Sequence, residues 1–523
     1  KKKKKNKNNM PGNYVKLNDN NGNNYTSMEY GRSSTNAQIL EKGLPDYSDF
    51  LDLTDKPPML LFTYVLAFIS SIDMMVFLPT LYDATKDNND SGNYYVYVFM
   101  SYIISQFISQ FLIGFWEDRR PILEILYFLV ICLIIGNVIY ASGISKKNSE
   151  IMLIGRLICG ICGSILIIGY AHVVKYGKFE GRENRILFFK FIVSLGTIFG
   201  PLIGVIVSNF NFSIGIISIS SNNSGSFIVI CLSIIYITIL TIYAIVRCNQ
   251  IKKKKERETA SEVGISALWG RKVSESLDSN LYDSKYVFIP HRFCSINAFI
   301  IWLLYGISVF SFWSFEGAII PIGQVVGFNL QTRQLYAIFL FIGICYILSF
   351  GINKYILIFI IKSREKKVII SFLLMITGCL IISSLGINDD AKNTQTWQIV
   401  IATPFLTSGF CIATQILPSL FVSLIGAKIV GLGIRTSWFF ALAQFGVLFG
   451  PLYGYIIIKT YKSVNFVAHT SAFMLIIGCF IAVLAFKTTS KIYDYDRPKR
   501  VTSSQDFNDE MDPLKKGLLT DRL

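Results

Sequence analysis

The chain has 523 residues, of which 16% are charged and 14% aromatic, and its mean hydropathy is +0.48. A soluble domain usually carries about 25% charged residues, so this composition excludes an ordinary soluble domain and indicates a polytopic membrane protein. The net charge of +16 does not predict nucleic-acid binding, because the basic residues lie in the tails and between apolar segments.

Apolar segments long enough to cross a bilayer follow a polar segment, 1–57, that we expect to be a disordered cytosolic tail. A polar linker, 247–293, divides them into six-span halves, 58–246 and 294–487, and a second cytosolic tail, 488–523, ends the chain. We name the segments spans 1 to 12, with predicted ranges 58–81, 94–116, 122–142, 151–174, 186–208, 226–246, 294–318, 334–361, 368–386, 398–424, 431–458 and 467–487. Span 8 is long for one crossing, so we expect it to tilt or to extend into the cytosol.

Lys and Arg are concentrated in the connections that follow even-numbered spans. This asymmetry predicts that these connections and both tails are cytosolic. Three glycosylation sequons, at Asn89, Asn211 and Asn222, then lie on the non-cytosolic side and are the predicted glycosylation sites. A fourth sequon, at Asn24, lies in the tail and would not be used.

Two nearly identical phrases, "GTIFGPLIG" in span 5 and "GVLFGPLYG" in span 11, occupy the fifth span of each half. Their matching places indicate an internal duplication, which is common in secondary transporters. Glycines four residues apart share one helix face and allow a close approach of another helix, and a proline frees a backbone carbonyl group and bends the helix. The predicted bending and packing residues are Gly196, Gly200, Pro201, Gly204, Gly446, Gly450, Pro451 and Gly454. The alternative is that these small residues only pack helices together.

Charged residues inside apolar spans are the candidate transport and coupling residues: Asp73 in span 1, Arg156 in span 4 and Glu316 in span 7. A lone charge near the bilayer centre costs about 2.5–3.5 kcal/mol on insertion scales, so such residues usually face a cavity or a partner. All three fall toward the non-cytosolic half of their spans, where they can pair with one another. A carboxyl group there can carry a proton, and an Arg beside it can alter its protonation or bind a substrate anion. The alternative is a structural ion pair that holds the two halves together.

The region 58–487 resembles the major facilitator superfamily. After span 2 that superfamily carries Gly-x-x-x-Asp-Arg-x-Gly-Arg-Arg, of which "GFWEDRRPIL" retains Gly114, Asp118 and Arg119 but not the later Gly-Arg-Arg. Span 4 has the superfamily's Arg followed by glycines, and the span 5 phrase is similar to a pattern often associated with antiport. The resemblance implies an all-α polytopic membrane protein with twelve transmembrane helices in two six-helix halves. Spans 1, 4, 7 and 10 would line its central cavity.

One branch of the superfamily is more similar. It is the lysosomal branch that contains the ceroid-lipofuscinosis facilitator protein, related to the transporter half of the vacuolar SPX-domain phosphate carriers. Its motifs match Gly114, Trp116, Arg120 and Pro121 after span 2, Phe315, Glu316 and Pro321 in span 7, Phe405 to Ser408 in span 10, and Trp438 in span 11. The branch tends to carry a second basic residue late in span 4, where this chain has Gly169, Tyr170 and His172. This departure weakens the implication that phosphate or another anion is the substrate.

The loop between spans 2 and 3 carries Asp118, Arg119 and Arg120. These residues, with Gly114, are expected either to form a cytosolic latch between the two halves that breaks as the carrier alternates, or to serve only as positive anchors at the cytosolic surface.

The resemblance implies a secondary active transporter of a small solute in the lysosomal or endosomal membrane, coupled to protons or another ion and working by alternating access. An anion channel, for chloride for example, and a membrane scaffold without transport are the alternatives. The tail phrase "YSDF", Tyr47–Phe50, fits a sorting signal bound by an endocytic adaptor. No enzyme, cofactor or metal site is expected, because the sequence has no Ser/His/Asp constellation, nucleotide loop or metal-ligand cluster.

Overall fold

The computed structural model describes residues 57–86, 94–175, 182–207, 212–214, 217–219, 223–266, 296–325, 332–361, 363–383, 396–425, 432–461 and 464–493. The predicted glycosylation sites at Asn89, Asn211 and Asn222 lie outside these residues, as does the predicted sorting signal, Tyr47–Phe50.

Among the described residues, 12 helices are long and apolar enough to cross a membrane, as the hydropathy of the sequence predicts. Their helical segments, in order from span 1 to span 12, are Pro57–Val76 with Leu78–Lys86, Tyr94–Glu117, Ile122–Ser145, Ser149–Gly163 with Ile165–Lys175, Arg182–Val207, Ser224–Ser266, Ile296–Val325, Thr332–Gly351 with Leu357–Ile360, Arg364–Ser383, Thr396–Ile425, Leu432–Tyr461 and Val464–Tyr493. Two short antiparallel strands, β1 (Phe212–Ile214) and β2 (Ile217–Ile219), lie between spans 5 and 6 and were not predicted.

Spans 1, 4 and 8 are interrupted, although the sequence predicts one helix for each. Span 1 breaks at Phe77, two residues before Pro79, whose missing N–H is tolerated in the first turn of the next helix. Span 4 breaks at Ser164, whose hydroxyl group donates to the Ile161 carbonyl oxygen at 2.7 Å. In span 8, a π-helical turn, Ile352–Ile356, follows the first helical segment and precedes Leu357–Ile360. The expected tilt or cytosolic extension of this span stays a prediction.

Spans 6 and 12 extend beyond their predicted ends. The helix of span 6 continues to Ser266, well into the predicted linker, and the helix of span 12 continues to Tyr493 in the predicted tail. Hydropathy alone could not give these ends, because a helix can leave the bilayer without changing its backbone hydrogen bonds.

The repeated glycine phrase makes the same contact in each half. A methyl group added to Gly196 would lie 2.6 Å from the Phe68 carbonyl oxygen, because span 5 approaches span 1 closely at this point. In the other half, a methyl group on Gly446, the first glycine of the second phrase, would lie 2.7 Å from the Phe310 amide nitrogen, because span 11 approaches span 7 in the same way. The two copies therefore occupy equivalent positions in two similarly built halves.

The repeated prolines lie inside unbroken helices. Pro201 is in span 5, and Pro451 is in span 11 against Gly317 of span 7, where an added methyl group would lie 2.5 Å from the Pro451 Cα atom. Gly204 and Gly454, which end the two phrases, are both buried.

Candidate functional site

A fully buried ion pair joins spans 1 and 4. Arg156 Nη1 lies 3.1 Å from Asp73 Oδ1, and neither side chain is exposed at all. Asn137 of span 3 donates from Nδ2 to the same Asp73 oxygen at 2.8 Å, and Arg156 Nη2 donates to Ser226 Oγ of span 6 at 3.4 Å. One carboxylate and one guanidinium group thus connect four spans of the first half.

Two aromatic rings enclose the Arg156 guanidinium group. Its central carbon lies 3.7 Å from the centre of the Phe77 ring and 3.8 Å from that of Tyr140. Cations over aromatic faces are attracted by the ring quadrupole, and more strongly when water is excluded. The break in span 1 thus places Phe77 where it covers the ion pair. The alternative to a transport role was an ion pair that holds the two halves together. The pair lies within the first half, so it does not have that function.

Glu316 does not join this pair. It is 3% exposed, and its Oε2 atom has no hydrogen-bond partner. Among the described residues, no cation lies within ion-pair distance of it. Of the three charges that could pair with one another, Asp73 and Arg156 do so inside the first half, and Glu316 lies apart from them in the second.

Glu316 lines a cavity of about 150 Å³ between the two halves. It is the only charged residue in that lining. The walls come from spans 1, 4 and 5 on one side and spans 7, 8 and 10 on the other, and the lining residues are Ser71, Met74, Met75, Leu166, Val193, Ser194, Thr197, Phe312, Trp313, Glu316, Ile342, Tyr346 and Phe410. A solute held there would contact both halves at once.

A second cavity, of about 20 Å³, also reaches Glu316. It is lined by residues that begin span 2 and end span 11, including Tyr95, Phe99 and Pro451, and this is the predicted non-cytosolic end of the bundle. A volume of this size is enough for one water molecule. Glu316 thus lies between the central cavity and a small pocket directed toward that end.

A row of polar contacts joins spans 8 and 10 beside the central cavity. The hydroxyl groups of Tyr346 and Thr414 lie 3.1 Å apart, and Asn353 Nδ2 donates to Gln415 Oε1 at 2.6 Å. The π-helical turn contains Asn353, so the break in span 8 helps to place it against span 10. Asn353 and Tyr346 were not predicted from the sequence, because the candidates were chosen by charge and neither residue is charged.

The predicted latch residue Asp118 contacts the other half of the protein. Its two carboxylate oxygens accept the backbone N–H groups of Gly433 and Ile434, at 2.9 and 3.0 Å, at the beginning of span 11. Lys175, at the end of span 4, donates to Asp118 at 2.7 Å and to Glu117 at 2.6 Å. A carboxylate at a helix N-terminus satisfies N–H groups that lack partners within the helix and is favoured by the helix dipole.

Close backbone packing accompanies this contact. A methyl group on Gly114 would lie 3.0 Å from the Gly433 carbonyl oxygen, and Ser437 Oγ donates to the Gln110 carbonyl oxygen at 2.8 Å. Arg119 is exposed and stacks on Phe115 at 3.9 Å, within its own half, and Arg120 is exposed beside it. Of the predicted latch residues, Asp118 and Gly114 therefore touch the opposite half, whereas Arg119 stacks within its own.

Aromatic side chains close the opposite end of the same interface. The ring centres of Tyr95 and Tyr455, from spans 2 and 11, lie 5.6 Å apart, and those of Phe99 and Trp313 lie 6.1 Å apart. The central cavity is thus bounded toward both ends by contacts between the halves.

Lys190 of span 5 is a further charged residue between the halves, and the sequence analysis missed it. Its ammonium nitrogen lies 5.8 Å from the centre of the Tyr170 ring in span 4 and 5.2 Å from that of Phe440 in span 11. The signal that could have revealed it is its place on the helix face of Ser194, four residues before that residue and within the predicted span.

A family model, the Major Facilitator Superfamily, matches residues 63–434, which is more than half of the chain. The chain belongs to the major facilitator superfamily. This membership indicates a membrane transporter, and the predicted all-α fold of twelve spans is confirmed. No curated protein matches the chain significantly.

The fold of this facilitator is also similar to a solved structure. The crystal structure of the human organic anion transporter MFSD10 (TETRAN) matches with a TM-score of 0.55 and 13% sequence identity, over 82% of this chain and 100% of that one. At this identity the likeness shows a shared fold.

Proposed function

We propose that this protein is a secondary active transporter that moves a small solute across the lysosomal or endosomal membrane by alternating access, with proton coupling at Glu316. The observation that carries the proposal is the position of Glu316. Among the described residues, it is the only charged side chain lining a cavity formed by both halves, and one of its oxygens has no hydrogen-bond partner there.

Glu316 fits a coupling role because its charge affects how stable the protein is when both ends of the cavity are closed. Burial of an unpaired charge in apolar surroundings is costly. A change in the protonation of Glu316 therefore changes the free energy of the state in which both ends are closed. The small pocket on its other side offers a route for a proton toward the predicted non-cytosolic end.

The closures at both ends favour a carrier over a channel. Asp118 with the beginning of span 11 bounds the cavity toward the predicted cytosolic end, and the Tyr95–Tyr455 and Phe99–Trp313 contacts bound it toward the other. A channel needs one continuous path, whereas a carrier needs closures that break in turn. The superfamily membership is consistent with the second arrangement.

The proposed location and orientation depend on the sequence. The resemblance to the lysosomal branch and the "YSDF" phrase support a lysosomal or endosomal membrane, and the distribution of Lys and Arg supports cytosolic termini. In that orientation, Asp118 closes the cytosolic end.

The test is an unbiased metabolite and ion profile of purified lysosomes with and without the protein, followed by rescue. The rescue proteins are wild type, Glu316→Gln and, as a matched control, Glu150→Gln, which makes the same change at an exposed position. We expect one compound to accumulate without the protein. Wild type and the control should clear it, and Glu316→Gln should not, although all three reach the membrane.

Other outcomes would contradict the proposal in different ways. A change confined to chloride would favour the channel. Full clearance by Glu316→Gln would remove the coupling role from this residue. An unchanged profile in intact lysosomes would exclude transport at this location.

A further inference from the structure

Lys190 is a cation without a counter-ion in the described part of the structure. Its side chain is partly buried and makes no hydrogen bond or ion pair with any described residue. Two other basic residues differ in this respect: Arg156 has Asp73, and Lys175, at the end of span 4, has Glu117 and Asp118. An ammonium group has three donors, and aromatic faces satisfy none of them fully.

The surroundings of Lys190 come from several spans of both halves. Tyr170 and Phe440 pack edge to face at 5.3 Å, and Tyr305 of span 7 lies 5.6 Å from Phe440. No carboxylate is part of this group among the described residues, so the site attracts negative charge.

Lys190 lies close to the central cavity but outside its lining. It precedes Ser194, which lines that cavity, by one helical turn of span 5. The remaining lining is mostly apolar and aromatic. An engineered cavity of about 150 Å³ in another protein accepts benzene, and the central cavity here has the same volume, about 150 Å³.

We propose that Lys190 binds the anionic group of a small organic monoanion, whose apolar body of about one aromatic ring occupies the central cavity. This inference rests on the proposed function, since it names the class of solute carried. It also explains why a cation is kept in the bilayer region without a carboxylate partner: the substrate supplies the negative charge in the loaded state.

The test uses the full-length protein in detergent, with thermal unfolding followed at increasing concentrations of benzoate, benzamide, benzylammonium and sodium chloride. Benzoate and benzamide have similar shapes but differ in charge. A ligand that binds the folded state raises the melting temperature with its concentration. We expect a saturable rise with benzoate at least tenfold more potent than that with benzamide, and none with benzylammonium. Lys190→Gln should abolish the benzoate effect, Lys190→Arg should keep part of it, and Lys146→Gln, at an exposed position, should keep all of it.

Equal shifts from benzoate and benzamide, or no shift from either, would overturn the proposal with the wild-type protein alone, whether or not the variants fold. A shift with chloride as large as that with benzoate would make this a site for inorganic anions and contradict an organic substrate. A benzoate effect that survives in Lys190→Gln would show that benzoate binds at another site, and would contradict the proposal. Because binding is measured at equilibrium, failure here leaves a carrier of neutral solutes intact, and failure of the lysosomal rescue leaves the binding result intact.

Discussion

Asp118→Asn is expected to loosen the contact between spans 2 and 11. The substitution keeps the shape of the side chain but removes its charge. Asp118 is the acceptor for the N–H groups of Gly433 and Ile434, which lie in the first turn of a helix and have no partner within it. The two halves separate at this end only if both bonds break.

The size of the effect follows from the groups that lose a partner. The amide oxygen of Asn can still accept one N–H group, so one charge-assisted hydrogen bond is lost, about 1.5–3 kcal/mol, with a helix-dipole contribution of about 0.3–1 kcal/mol. Lys175 loses its ion pair with residue 118 but keeps the one with Glu117 at 2.6 Å. Because the Lys175 side chain is 31% exposed, this loss adds little to the free-energy change. A net change of about 2 kcal/mol shifts the equilibrium between closed and open ends about thirtyfold.

Hydrogen exchange at the beginning of span 11 measures this opening directly. Its amides should exchange about thirtyfold faster in Asp118→Asn, because exchange requires the same separation. The beginning of span 4 is an internal control, since Asn148 caps it by accepting from the N–H groups of Glu150 and Ile151. Unchanged exchange at span 11, or an equal increase at span 4, would refute the reasoning.

Asp73→Asn leaves the Arg156 guanidinium group buried without its carboxylate, and we expect a loss of about 3–5 kcal/mol in the free energy of unfolding. Combining it with Arg156→Gln should recover part of that loss, and strictly additive effects in detergent-unfolding titrations would contradict the coupling. Gly160→Ala places a methyl group against the Tyr102 carbonyl oxygen and should cost about 1–3 kcal/mol through overpacking. Gly351→Ala meets no described atom within 4 Å, so it gains only the better helix propensity of Ala and should leave thermal unfolding unchanged or raise it slightly. A similar loss in both variants would contradict overpacking as the cause.

The number of spans could be predicted because the bilayer requires about twenty apolar residues per crossing helix, whatever the tertiary structure. The repeated phrase also predicted equivalent positions, and Gly196 and Gly446 do approach the backbones of spans 1 and 7, respectively. The breaks in spans 1, 4 and 8 depend on single side chains and their neighbours, and hydropathy averages over both.

The candidate site was only partly predictable for a different reason. Asp73, Arg156 and Glu316 stand out as charges in apolar sequence, but their partners are set by packing between distant spans. Asp118 illustrates the distance: the amide it caps at Gly433 is 315 residues away in the chain. Lys190 was missed because it lies near the basic start of span 5 and resembles an interfacial anchor until Tyr170 and Phe440 are seen beside it.

The ion pair inside the first half also imposes an order on biosynthesis. Asp73 leaves the ribosome 83 residues before Arg156, and 64 residues before Asn137. At about 5–20 residues per second, the carboxyl group waits about 4–17 s for its cation. During that interval span 1 carries an uncompensated group that opposes its transfer into lipid by about 2.5–3.5 kcal/mol. The cost of this carboxyl group in lipid therefore falls only after span 4 has been made and Arg156 can pair with it.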